Sequence, residues 1–585
     1  MTNKLTDEQI KFLQAEGKVV VKACPGSGKT FSVANKLLSY LQDWKSPHQG
    51  IAVLSFTNVA SDEIFRKANA INGSIAGVTY PHFVGTVDSF INEYIVLRYG
   101  HLYTANKTRP QIALKDIWKF PYKYWRTECH RNGCVENIEK FHYSIDGKLY
   151  KEKNAVDCEL GRATSLPCAQ YKRILAKRDI VFQNETATFA YKLMQKFPLI
   201  INAITERFPI IIIDEVQDTS IDQMAVFDLL SENGIKSIFL VGDPDQAIYE
   251  WRNANPQCFV DKINSGNWHN VELTGNFRSS QNICNATSLF SESLSGHKSN
   301  TAIGDFKDEP EKPILLLYNN KCTEEQVISC FLEKCKAMKI DVRPENVAVL
   351  TRGRIHGETD ISNLWRSSEL ESYAIAAYEW EKGSRKKAYK EVYQASYSMI
   401  YNEQAEPIEM EKKIQNDVGI EVWENFIIDI LSGFPDIELG IAEWVTQFTA
   451  TYKDILKVFG LKNSEQKKIE NCFKIKTRDN KNPKFKEIPL KKFFEKRSET
   501  NYTRASIHGI KGETYDATLL YVKSRTGNTI TPKFLTEGSL ADEQMRIAYV
   551  AMTRPRRLLM VAMPETKKID EYPRFPNSLW NYIRL

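Results

Sequence analysis

The chain has 585 residues, 42% of them hydrophobic and 26% charged, which is enough apolar material for roughly three or four packed domains. Its net charge of +6 is modest for this length, so contact with nucleic acid has to come from local patches. Eleven cysteines without regular spacing argue against a disulfide framework. With no charged-then-apolar leader over Met1 to Gln14 and no apolar run long enough to span a bilayer, the expectation is a cytoplasmic protein with no membrane partner.

From the N-terminus, Val19 to Lys22 reads as a strand that runs into Ala23-Cys24-Pro25-Gly26-Ser27-Gly28-Lys29-Thr30. Phe31 then continues into a helical pattern. Strand-like and helical runs alternate from Val19 to about Gly100 and again from Phe208 to Tyr249, the pattern of a parallel α/β unit. A second α/β region starts near Val271, includes Pro313 to Tyr318 and Val347 to Thr351, and resumes at Ala517 to Val522 and Leu558 to Ala562. The expected divisions are therefore a first α/β domain over 1–100 and 208–270, and a second over 271–352 and 501–585. A mainly helical insertion interrupts each, over 101–207 and 353–500. The second insertion ends in a basic run, Leu461 to Thr500, with 13 Lys or Arg against 6 Asp or Glu. That run suits a grip on duplex DNA or a solvated lysine face. In the first insertion Cys129, Cys134, Cys158 and Cys168, with His130 and His142 nearby, are potential metal ligands or small buried hydrophobes.

The glycine-rich loop needs its residue types. Gly26 and Gly28 let backbone N–H groups turn inward to cradle phosphates at a helix N-terminus. Lys29 supplies a point charge to the β- and γ-phosphates and Thr30 a hydroxyl to Mg²⁺. Ala23 stands where the strict pattern has glycine. Further on, Ile211-Ile212-Ile213-Asp214-Glu215 puts two adjacent carboxylates at the end of an apolar strand. Asp214 is expected to hold Mg²⁺, and Glu215 to polarise the attacking water as general base. The two motifs together describe a nucleoside triphosphatase using Mg²⁺.

Other short motifs stand in fixed order around these two. They are Leu5-Thr6-Asp7-Glu8-Gln9, Ser55-Phe56-Thr57-Asn58 through Ile64, Val84-Gly85-Thr86 through Phe90, and Val241-Gly242-Asp243-Pro244-Asp245-Gln246 through Arg252. Leu273-Thr274-Gly275-Asn276-Phe277-Arg278-Ser279-Ser280, Ile507-His508-Gly509-Ile510-Lys511-Gly512 and Arg546 through Arg554 follow. With the phosphate loop and the Asp-Glu strand, these motifs resemble those of superfamily 1 DNA helicases of the UvrD/Rep type, from Leu5 to Arg554 outside the two insertions.

The resemblance implies two RecA-like P-loop motors, each a parallel sheet flanked by helices, with ATP between them. By it Gln9 reads the adenine edge, and Phe277 offers an aromatic face to the base where the family usually has tyrosine. Gln246 senses the γ-phosphate, and Arg278 and Arg554 stabilise transition-state charge. Tyr249 and Trp251 stack on single-stranded DNA, with Thr57, Asn58, Thr86 and His508 on its phosphates and sugars. The family's ribose-binding glutamate is replaced by Thr514, with Glu513 one place early, which weakens the case for ribose contact at that segment. The implied activity is a 3′ to 5′ translocase or helicase on single-stranded and tailed duplex DNA. About thirty residues follow Arg554, too few for an appended nuclease domain. In size and domain economy the chain also resembles the helicase-like B subunits of antiviral Gabija systems, which work beside a separate OLD-family nuclease. A sensor of DNA ends that hydrolyses ATP and signals to a partner without processive unwinding is the alternative.

Overall fold

The computed structural model describes residues 5–72, 80–113, 141–151, 154–155, 167–250, 253–294, 299–319, 321–352, 364–401, 407–457, 472–475, 487–495, 501–522, 530–565 and 571–585. Two six-stranded parallel sheets carry the first of two compact units.

The first sheet has the order His269–Leu273, Lys18–Ala23, Ser237–Gly242, Ile210–Ile213, Ile51–Ser55, Phe83–Thr86. Its central strands are unbroken apolar runs because helices cover both faces. Val19, Val21, Ile210, Ile212, Phe239 and Val241 point to one side, where Phe12, Val33 and Leu37 from helices Asp7–Gln14 and Lys29–Gln42 meet them. The alternate residues Val20, Leu54, Ile211, Ile213 and Leu240 face the other side, against helices Thr186–Lys196, Leu199–Arg207 and Ile221–Glu232. The second sheet runs Thr503–Ser506, Val347–Thr351, Tyr515–Tyr521, Pro555–Pro564, Ile314–Tyr318, Asn581–Arg584. It divides its residues between two cores in the same way. This is the expected class, two parallel α/β sheets flanked by helices.

Two boundaries differ from expectation. The division at 270/271 falls inside strand His269–Leu273, which pairs with Lys18–Ala23 and so is an edge of the first sheet. Its alternating exposure, with only Val271 and Leu273 buried, is the mark of an edge strand and hides its membership from a search for apolar runs. The insertion expected over 101–207 does not stay separate either. Leu193, Met194, Ile200, Ile201 and Ile204 lie in the core of the first sheet. The described part of the insertion also contains short strands, an antiparallel pair Phe141–Tyr143 with Leu149–Lys151 and a parallel pair Gln111–Ala113 with Ile180–Phe182.

The second compact unit covers most of 355–501. Helices Ser368–Glu381, Arg385–Tyr401, Ile420–Ser432 and Ile441–Leu456 bury Trp423, Trp444, Phe448 and Tyr452 in one aromatic core. The Tyr373 hydroxyl lies 3.0 Å from both the Tyr452 and Ser396 hydroxyls. Most of the basic run over 461–500 lies outside the described residues. No described helix is long and apolar enough to cross a membrane.

Helix Asp7–Gln14 is held at both ends. Thr6 and Gln9 form a reciprocal capping box. At the other end the fully buried Lys36 donates from Nζ to the Leu13 and Ala15 carbonyls, each at 2.7 Å, over the rings of Tyr40 and Phe239. Lys36→Met keeps the shape but leaves both carbonyls unpaired. It is expected to destabilise the first motor by about 1–3 kcal/mol, read as an earlier unfolding midpoint in urea while Lys45→Met, at an exposed position, leaves the midpoint in place.

Candidate nucleotide site and nucleic-acid interface

The carboxyl ends of the first sheet's strands converge on the phosphate loop, where open parallel sheets bind ligands. The Cys24 N–H donates to the Leu273 carbonyl at 3.1 Å, and Gly26 and Gly28 adopt left-handed φ of 71° and 76°. Gly28 is the N-cap of helix Lys29–Gln42. Lys29 is buried at the helix start. Burial alone would lower its pKa, but Glu215, Asp243 and Asp214 outweigh that and raise it, so the ammonium stays charged.

Asp214 follows strand Ile210–Ile213, and Glu215 turns the chain through a left-handed φ of 54°. The Asp214 Oδ1 accepts the Glu215 N–H at 2.9 Å. Its Oδ2 is buried and without a partner. Burial and the Glu215 anion push the Asp214 carboxyl up. For Glu215 burial acts in the same sense, but Lys29 and Lys511 override it and hold the carboxylate ionised. A carboxylate oxygen with no donor beside a second anion fits a divalent cation, with Thr30 one residue beyond the lysine and phosphate oxygens and water completing the shell. Ser27 Oγ is likewise buried and unpartnered, at the rim where phosphate oxygens belong. Among the described residues no group of three His, Cys, Asp or Glu is placed to hold a metal by itself. Cys168 is buried; Cys129, His130, Cys134 and Cys158 lie outside the described residues.

The second motor closes on this loop. The Phe277 N–H donates to the Gly26 carbonyl at 2.9 Å. A Cβ on Gly26 would stand 2.6 Å from Asn276 Oδ1 and 2.7 Å from Arg278 Cβ, so the close approach requires glycine. Gln9 and Phe277 flank Gly28 from the same side, with the Gln9 amide nitrogen and the Phe277 ring 3.2 and 3.8 Å from where a Cβ would be. Phe277 is exposed and free to stack on a base. The Gln9 carbonyl oxygen accepts the Thr6 N–H at 3.1 Å, which leaves its amide protons to read a ring nitrogen.

Arg554 is buried and donates from one terminal nitrogen to Gln246 Oε1 at 2.8 Å, while Gln246 donates to the Asp243 carboxylate. Arg278 donates to the Thr553 carbonyl at 3.0 Å. Burial and the charge of Arg554 bring the Arg278 pKa down to about 9, an unfavourable pairing that an anionic group between the two arginines would relieve. Thr514 is half-buried with no described partner of its own, and Glu513 accepts the Tyr515 hydroxyl instead.

Several participants escaped the sequence reading. Lys511 pairs with the buried Asp218 and donates to the Gln246 carbonyl at 3.0 Å, tying the second motor to the first. Gln217 donates to the Glu215 carboxylate and accepts the Asp243 N–H at 3.0 Å. The available signal was position, since Gln217 and Asp218 stand within four residues of Asp214 and Lys511 follows His508 by three. On the nucleic-acid side, Tyr249 stacks on Phe56 with centroids 5.2 Å apart at 27°, lies edge-on to His508 at 5.9 Å, and carries Lys511 Nζ at 4.8 Å over its ring. The Thr57 and Thr86 hydroxyls accept the Ala60 and Ser89 N–H groups, so both cap the starts of helices. Only the backbone of Asn58 is described, and Trp251 lies outside the described residues.

Residues 5–266 match the UvrD/REP helicase N-terminal domain. Over these residues the chain is similar to UvrD/REP-type helicases. Over 352 residues the chain is 30% identical to the Gabija protein GajB of Bacillus cereus (strain VD045), covering 59% of this chain and 60% of that one. It is 26% identical over 302 residues to the ATP-dependent DNA helicase PcrA of Leuconostoc citreum, covering 49% and 39%. It is 31% identical over 179 residues to the RecBCD enzyme subunit RecB of Buchnera aphidicola subsp. Schizaphis graminum (strain Sg), covering 29% and 14%. The match thus spans less than two thirds of each of these relatives.

Gly26→Ala introduces a Cβ into both Asn276 and Arg278 at a left-handed position. It is expected to weaken binding of Mg²⁺-ATP at least tenfold with an unchanged circular dichroism spectrum, whereas Gly147→Ala, in open space, leaves nucleotide affinity as it was.

Proposed function

We propose that the chain is an ATP-dependent DNA motor that moves 3′ to 5′ along single-stranded DNA and separates tailed duplexes. The observation that carries this reading is the hydrogen bond from Arg554 in the second motor to Gln246 in the first. The two residues meet beside Lys29, Asp214 and Glu215, whose charges reach Arg554 and Lys29. A γ-phosphate entering there would meet Lys29, Gln246, Arg278 and Arg554 at once. Glu215, kept ionised, is then the base that orients water, and Asp214 with Thr30 would hold the Mg²⁺ that neutralises the phosphate charge. Loss of the γ-phosphate removes what the arginines hold. Because Gln246 is three residues from Tyr249, the change in grip passes directly to the aromatic platform that would hold bases. Alternating closure and opening then moves the strand.

The likeness to a Gabija protein supports a role in antiviral defence beside a separate OLD-family nuclease. It also favours a second reading, in which the motor senses DNA ends and needs its partner to separate strands.

Single-stranded DNA is expected to stimulate ATP hydrolysis in the unmodified chain. Lys29→Ala and Glu215→Gln should each abolish that hydrolysis by at least a hundredfold, with Glu215→Gln retaining ATP binding. Tyr249→Ala should weaken the affinity for single-stranded DNA by about 1–3 kcal/mol. Displacement of a strand from 3′-tailed but not 5′-tailed duplex is the direct check of direction. Stimulated hydrolysis with no displacement from either substrate would select the sensor. Absence of hydrolysis with every DNA would sink both.

A further inference from the structure

Away from the nucleotide cleft, the first insertion holds a groove of about 540 Å³ between helix Pro167–Ala176, strand Ile180–Phe182 and helix Thr186–Lys196. It shares no residue with the phosphate loop, the arginines or the aromatic platform. From its composition we infer that this groove is a second nucleotide-binding site, one that takes a single phosphorylated base.

Two independent properties point there. The first is flat aromatic surface. Tyr103, Tyr143, Phe182 and Phe189 all line the groove, with Tyr103 and Phe189 edge-to-face at 5.3 Å and both half-exposed. The second is a surplus of positive charge. Lys172, Arg173, Lys177 and Lys192 contribute four cations to the lining against the two carboxylates of Asp179 and Glu185. Those carboxylates are already engaged by the wall itself. Asp179 accepts the Asn106 N–H at 3.1 Å and the Thr108 hydroxyl. Glu185 accepts the Tyr143 N–H at 2.9 Å and pairs with the buried Lys172 at 3.1 Å. Lys172 is held over the Phe182 ring at 3.6 Å and belongs to the wall. Arg173 and Lys177 stand exposed at the rim, with Lys192 half-exposed.

A ligand that uses both properties must present a π-face and a phosphate, which is the chemistry of a nucleotide. The volume is in the range of small-ligand sites and admits one base with its sugar and phosphate, not a duplex. That nucleotide has two sources, a free mononucleotide or the terminal residue of a DNA strand.

The test uses the full chain carrying Lys29→Ala, so that the phosphate loop contributes little, compared with the same chain also carrying Arg173→Glu and Lys177→Glu. Both added changes are on exposed side chains, and unchanged ATP hydrolysis of Arg173→Glu/Lys177→Glu in a chain that keeps Lys29 confirms folding. Each protein is titrated with deoxyadenosine 5′-monophosphate and with deoxyribose 5-phosphate. It is then titrated with a single-stranded oligonucleotide whose terminal residues are normal or abasic. If the source is a free nucleotide, the mononucleotide binds at least tenfold more tightly than the base-free phosphate, and charge reversal weakens it at least tenfold. If the source is DNA, the oligonucleotide with normal ends binds at least threefold more tightly than the abasic one, and charge reversal erases that preference. Equal binding of the base-bearing and base-free members of both pairs overturns the inference. So does a preference that survives charge reversal unchanged.

Discussion

Charge buried between two parallel sheets organises this protein. Lys29, Asp214, Glu215, Asp218, Asp243, Lys511 and Arg554 are gathered where the strands of the first sheet end and the second motor closes over them. Isolated, any one of these ions would be expelled by its desolvation cost. Together they hold one another in place, yet the compensation is incomplete. Asp214 keeps a buried oxygen without a donor, and Arg278 and Arg554 repel each other. A divalent cation would satisfy the Asp214 oxygen and anionic oxygens would relieve the two arginines, which is the chemistry of a magnesium-bound triphosphate.

The fold supplies the rigidity that such an arrangement needs. Residues alternate between two cores along every central strand, so a shift of any strand by one residue would invert both faces. Strand ends are thereby fixed, and with them the loop and the Asp-Glu turn. Lys36 and the Thr6–Gln9 capping box fix the first helix in the same way, and this is what sets Gln9 beside Gly28. Glu8 adds a link of its own, accepting the Thr274 N–H at 2.8 Å where the chain passes from the first sheet towards the second.

The arginine cleft and the aromatic platform are joined by short covalent distance. Gln246 meets Arg554, while Tyr249, three residues later, meets Phe56, His508 and Lys511. Lys511 touches both ends of that segment, through the Gln246 carbonyl and the Tyr249 ring. A change in the distance between motors cannot leave the platform unaffected, because both motors contribute to it.

The sequence by itself determined the phosphate loop, the Asp-Glu strand end and the parallel α/β class, and the resemblance of its short motifs pointed to Gln246, Arg278 and Arg554. Each of these is local: a glycine at a required backbone angle, a carboxylate after an apolar run, a short motif of fixed spacing. Only the tertiary structure decided what depends on pairing across long separations. Strand His269–Leu273 joined the first sheet through Lys18–Ala23, although its half-exposed pattern did not announce it. Helices Thr186–Lys196 and Leu199–Arg207 entered that sheet's core, which the aromatic and basic composition around them concealed. Lys511 found Asp218 across 293 residues of chain. A buried ion pair of that kind has no sequence periodicity, since its partners are chosen by the closure of two domains.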